Sequence, residues 1–160
     1  MSSGAFRFWQ QWLLWACIST VVLGVTLAFF DVRLLPGFLE AVSTTLWGTA
    51  TMPSDVVTYH RFAHAVLGST IASWACVLAF VAHIPFRARE PWAWWCVLAS
   101  LGVWFPLDTA MSLYFGVWPN AIFNVVALLF IGTPLIFTRS AFRGQRAVAA
   151  SAVNASQASR

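Results

Sequence analysis

Asp108 lies inside an apolar stretch, residues 91–115, that is long enough to cross a bilayer. A carboxylate at that depth costs about 2.5–3.5 kcal/mol on insertion scales, so it needs a partner, a proton or a water-filled cavity. Thr109 adjoins it and Ser112 follows four residues later. Asn120 and Asn124 are also four apart, as are His60 and His64. Side chains at that spacing share a helix face. Three antiparallel helices could therefore turn polar pairs into one pocket.

In such a pocket Asp108 is the main polar anchor or general acid, and His64 is a second acid–base group. Asn120, Asn124, Ser112, Thr109 and His60 offer ligand hydrogen bonds, and Trp104 with Phe105 an aromatic wall. Pro106 removes the backbone donor that would serve Gly102, so the helix can bend beside the carboxylate. The competing reading is mechanical. Asp108 would bond to Asn124, Thr109 or an arginine and only clasp helices. Both readings stay open on the sequence alone.

His60, His64 and Asp108 have the types of a two-histidine, one-carboxylate metal set. No HExxH or Cys/His spacing accompanies them, so no metal is expected. All three histidines, His60, His64 and His83, fall on one span. A bis-histidine haem within one bundle needs ligands on facing helices, so no cofactor is expected. Cys17, Cys76 and Cys96 lie in apolar runs and read as small apolar fillers.

The elements that must position these groups follow from composition. Of 160 residues 60% are hydrophobic and only 9% charged, against about 25% charged in a soluble domain. The expected class is an all-α, polytopic membrane four-helix bundle. Its spans fall at about 9–30, 62–86, 91–115 and 121–138. The second starts as a helix near Asp55, with Ser54 as its N-cap. The first span is too long for a signal-peptide core and no clear cleavage site follows it, so it is expected to be retained. In the first loop Leu35, Phe38, Leu39, Val42 and Leu46 recur at helical spacing, between Pro36-Gly37 and Gly48. They predict a short amphipathic helix, lying on the outer membrane surface or capping the bundle. The small, polar tail 141–160 is expected to be a disordered cytoplasmic segment.

Small residues recur every fourth position at Ala16, Thr20, Gly24 and Ala28, and at Gly68, Ala72 and Cys76. These predict the inward faces of the first two spans. Trp92, Trp94, Trp95 and His83 read as interfacial anchors.

Every basic side chain is arginine. Arg7, Arg87, Arg89, Arg139, Arg143, Arg146 and Arg160 fall on one side of a four-span chain, whereas Arg33 and Arg61 share their loop with Asp31, Glu40 and Asp55. The positive-inside rule then places both termini in the cytoplasm. The expected location is a bacterial cytoplasmic (inner) membrane, with lipids as partners and a homodimer or larger membrane complex as the setting. No basic patch interleaved with aromatics argues for nucleic acid.

Three segments carry a resemblance: HAVLGSTIASW at 64–74, WAWW at 92–95 and WFPLDTAMSLYFGVWPNAIFN at 104–124. With four spans in so short a chain, they resemble small bacterial inner-membrane proteins of DoxX-like and related four-helix plan. The resemblance concerns architecture and implies no catalytic residue. The function expected is binding of, or action on, a hydrophobic ligand of lipid, quinone or isoprenoid class in an outward-facing pocket. The alternative is a non-catalytic accessory subunit.

Overall fold

A backbone without water around it must satisfy its own N–H and C=O groups, and the helix does so within one segment. The computed structural model describes residues 2–30, 37–48 and 54–158, apart from the side chains of 39 and 144–158. Expectations resting on Asp31, Arg33, Leu35, Pro36, Arg160 or the side chains of Leu39 and Arg146 lie outside the described residues. The helices are α1 (Ser3–Phe30), α2 (Phe38–Trp47), α3 (Ser54–His83), α4 (Pro91–Tyr114) and α5 (Trp118–Ala158). Among the described residues there is no strand.

The chain is an integral, multi-span membrane protein. Four apolar segments, Ser3–Phe30, Ser54–His83, Pro91–Tyr114 and Trp118–Arg143, are 24 to 30 residues long. At 1.5 Å per residue even the shortest reaches about 36 Å, more than the ~30 Å hydrocarbon core. Their outer faces carry exposed Phe29, Phe80, Leu107, Met111, Ile122 and Ile136, which water would not tolerate and lipid does. α1 starts earlier than hydropathy alone predicts. α5 runs as helix through the polar tail to Ala158, where Ala147, Ala149, Ala150, Ala152 and Ala155 are strong helix formers.

The bundle order is α1–α3–α4–α5, closed by α1 against α5. All four contacts are antiparallel. α1 and α3 are the tightest pair, and α3 and α4 the least closely packed neighbours. The tight pair depends on two glycines. A Cβ on Gly24 would lie 2.5 Å from the Ala72 backbone nitrogen, and one on Gly68 would lie 2.5 Å from the Gly24 carbonyl oxygen. The two backbones touch there, as small-residue membrane interfaces allow. Ala16 is buried too, but Cys76 is exposed and Ala75 faces the core instead. The stripe therefore turns away after Ala72.

The basic end of the bundle is knit by aromatics. Phe6, Phe86 and Phe142 pack together from α1, the 84–90 turn and α5, with ring centroids 4.8–6.1 Å apart. Arg89, at φ 62°, sets its guanidinium 4.5 Å from the Phe6 ring centre. Trp94 corrects the expectation of an interfacial anchor. It is buried, and its Nε1–H donates to the Leu135 carbonyl at 2.9 Å. Gln10, also buried, donates from Nε2 to the Ala82 carbonyl at 3.0 Å.

At the other end α2 is bracketed by Gly37 at φ 81° and Gly48 at φ 68°. Both occupy the left-handed region that only glycine enters without strain. Val42 and Ser43 are buried, and a Cβ on Gly116 would lie 3.4 Å from the Thr45 methyl. Thr45 of α2 thus lies beside the α4–α5 turn.

Candidate functional site

Asp108 and its neighbours form a connected cluster on α4 and the start of α5. Asn120 Nδ2 donates to Asp108 Oδ1 at 2.9 Å and to Ser112 Oγ at 2.7 Å. Trp104 Nε1 donates to Asp108 Oδ2 at 3.2 Å. Ser112 Oγ lies 2.7 Å from the Asp108 main-chain carbonyl and 3.3 Å from Oδ1. One hydroxyl has one proton, and the shorter contact to the carbonyl takes it. The carboxylate is therefore held mainly by Asn120 and Trp104.

The local fold explains this set. Trp104, Asp108 and Ser112 recur every four residues on one face of α4. The tight 115–117 turn reverses the chain so that Asn120, in the first turn of α5, meets that face. Gly116 takes φ 72° in that turn. α4 runs through Pro106 as one helix from Pro91 to Tyr114.

Among the described residues all of Asp108's donors are neutral. The arginine considered as a clasp partner is not among them, and neither is Asn124. Asn124, 1% exposed, instead donates to Thr109 Oγ1 at 3.3 Å. Each carboxylate oxygen can accept about two hydrogen bonds. Among the described residues Oδ2 accepts only the long bond from Trp104, which leaves it capacity for another donor. Asp108 itself is half-buried.

α3 contributes a residue that spacing did not single out. Trp74 Nε1 donates to Ser100 Oγ at 2.5 Å, and its ring lies 6.0 Å from that of Trp104. A lone tryptophan in an apolar span gives no signal of this pairing. The two indoles bridge the seam between α3 and α4. His64 stands ten residues from Trp74 toward the α2 end, a rise of ~15 Å, and Asp108 eight residues from Ser100, ~12 Å. His64 and Asp108 thus stand at about the same level on neighbouring helices. The contacts described for His60 and His64 are with each other: ring centroids are 4.0 Å apart, and His64 Nδ1 lies 3.0 Å from the His60 carbonyl. Among the described residues no three of His, Cys, Asp and Glu converge to hold a metal ion.

A cavity of about 220 Å³ opens at the basic end, lined by Pro91, Trp94, Trp95, Arg139, Phe142 and Arg143. It includes no member of the Asp108 cluster. The chain matches no protein-family model, and neither a curated protein nor a solved structure matches it at a significant level.

Proposed function

We propose that the Trp104–Asp108–Ser112–Asn120 cluster anchors the head group of a hydrophobic ligand that enters between α3 and α4. The observation that carries this reading is the accepting capacity that Asp108 Oδ2 retains among the described residues, beside Trp104, whose ring meets Trp74 across the loosest seam of the bundle. The ligand class is an amphiphile with a hydrogen-bond-donating head: a lipid, a quinol or an isoprenoid alcohol. Trp74 and Trp104 form an aromatic floor, and Asp108 with His64 are the groups that could exchange a proton with such a head. The reading assigns no reaction. It places the protein in a bacterial cytoplasmic membrane with the basic end inside, supported by the gathering of Arg7, Arg87, Arg89, Arg139 and Arg143 at one end of the bundle. The four-helix plan of DoxX-like proteins fits the same reading.

A second reading has one observation in its favour: the Asn120–Asp108 bond joins α4 to α5. On it the cluster is a clasp inside an accessory subunit of a membrane complex, either a homodimer or a larger assembly.

The test is extraction and mass spectrometry of amphiphiles retained by purified full-length protein and by Asp108→Asn. The ligand reading expects a near-stoichiometric amphiphile in the wild type, lost from a variant of unchanged helicity and elution. Identical lipid content in both supports the clasp, as does a stable partner protein recovered in mild detergent with either.

A further inference from the structure

The basic-end cavity is chemically distinct from the Asp108 cluster and is built from α4 and α5 alone. Arg139 and Arg143 are one helical turn apart on α5, so both guanidinium groups reach the same side. Both are exposed, and among the described residues neither has a carboxylate partner. Glu90, next to the cavity residue Pro91 in the chain, accepts from Trp92 Nε1. Arg89 is committed to the Phe6 ring. The remaining walls are Pro91, Trp94, Trp95 and Phe142. Trp95 is 49% exposed, with its ring 5.0 Å from Trp94 and edge-on to it.

The combination decides the occupant. A volume of about 220 Å³ is below the ≈ 300–1,000 Å³ of sites that enclose a whole drug-sized ligand, and suits a head group. Arginine holds phosphate through paired, planar N–H donors. The apolar run of α5 gives way to charge at Arg139 and Arg143, so the cavity mouth sits where acyl chains give way to head groups. Basic pockets between helices at that depth suit anionic lipid heads. Tryptophan faces suit the glycerol and first methylenes of such a lipid.

We propose that this cavity is a binding site for an anionic phospholipid, its phosphate held between Arg139 and Arg143 and its upper acyl chain lying along Trp95. The site does not depend on the ligand assigned to the Asp108 cluster.

The experiment uses full-length protein in nanodiscs of phosphatidylcholine with a minor fraction of phosphatidylglycerol, and counts retained lipids by native mass spectrometry after release. The wild type retains phosphatidylglycerol over phosphatidylcholine. Arg139→Gln and Arg143→Gln each lower that preference about fivefold and the pair about thirtyfold, while Arg139→Lys with Arg143→Lys keeps most of it. Arg87→Gln, at the same end but outside the cavity, leaves it unchanged. Equal retention of the two lipids by the wild type overturns the proposal, and this arm needs no variant to fold. An equal loss from Arg87→Gln overturns it in favour of diffuse surface charge. Binding of millimolar inorganic phosphate without a lipid preference overturns it in favour of a free-anion site.

Discussion

Asn120 divides its two amide protons between Asp108 Oδ1 and Ser112 Oγ, at 2.9 and 2.7 Å, and so fixes the first turn of α5 against the C-terminal half of α4. Interhelical bonds of this kind in lipid average about 0.6 kcal/mol and reach about 1.7. Asn120→Ala should therefore lower stability by roughly 1 kcal/mol in detergent unfolding. It should also reduce retention of the ligand, because Asp108 loses the donor that orients it. Asp108→Asn should cost no more stability than that and yet abolish retention. A loss of retention that follows stability across both variants would favour the clasp.

The Gly24–Gly68 crossing makes a steric prediction. Gly24→Ala places a Cβ within 3 Å of the Ala72 backbone, which is not a flexible side chain and cannot step aside. α1 and α3 must separate, at a cost on the order of 1–3 kcal/mol for overpacking. Gly102→Ala, where nothing lies within 4 Å, should be neutral or slightly stabilising. Thermal unfolding of the two variants side by side checks the contrast.

Much of this architecture is legible in the sequence, because span length and glycine spacing each follow from a single physical constraint. The four spans, Gly24 and Gly68 as an inward pair, and α2 between two glycines were all readable in that way. Helix rotation was not. Cys76 continues the fourfold spacing of Gly68 and Ala72 but is exposed, because a helix of 3.6 residues per turn carries a strict four-residue stripe off the contact face and Ala75 takes the inward place. Trp94 lies in a run that composition assigns to the interface, yet a carbonyl of α5 takes its N–H. In the site, the four-residue spacing correctly joined Asp108 to Ser112. Which asparagine reaches the carboxylate depended on the 115–117 turn: Asn120 does, and Asn124 meets Thr109. Trp74 carried no signal, because a partner on another helix cannot be read from one span.

Pro134 gives a coupled prediction. Its ring nitrogen has no proton, so the Phe130 carbonyl loses its helical donor, and Trp12 Nε1 of α1 donates to that carbonyl at 2.9 Å. Trp12→Phe should cost roughly 0.5–1.5 kcal/mol, the net value of one hydrogen bond. In a Pro134→Ala background, where the helix supplies its own donor, the same change should cost clearly less. A double-mutant cycle on unfolding free energies reads the coupling, and additivity would dissociate the proline from the tryptophan.

Gln10 is a buried polar group whose bond to the Ala82 carbonyl links α1 to α3. Gln10→Ala leaves that side chain's space and bond unfilled and should cost on the order of 1–3 kcal/mol. Gln10→Leu fills the space and should cost distinctly less. Equal losses would show that the hydrogen bond, and not packing, carries the contact.

The central claim is that Asp108 faces a polar opening in the α3–α4 seam and not acyl chains. Thiol reactivity tests it most directly. In a background lacking the native cysteines, Asp108→Cys and Ala110→Cys are compared for their rates with a small water-soluble maleimide in intact membranes. The account predicts that position 108 reacts many times faster than position 110, whose side chain is exposed on the lipid side. Equal, slow labelling at both positions would contradict it.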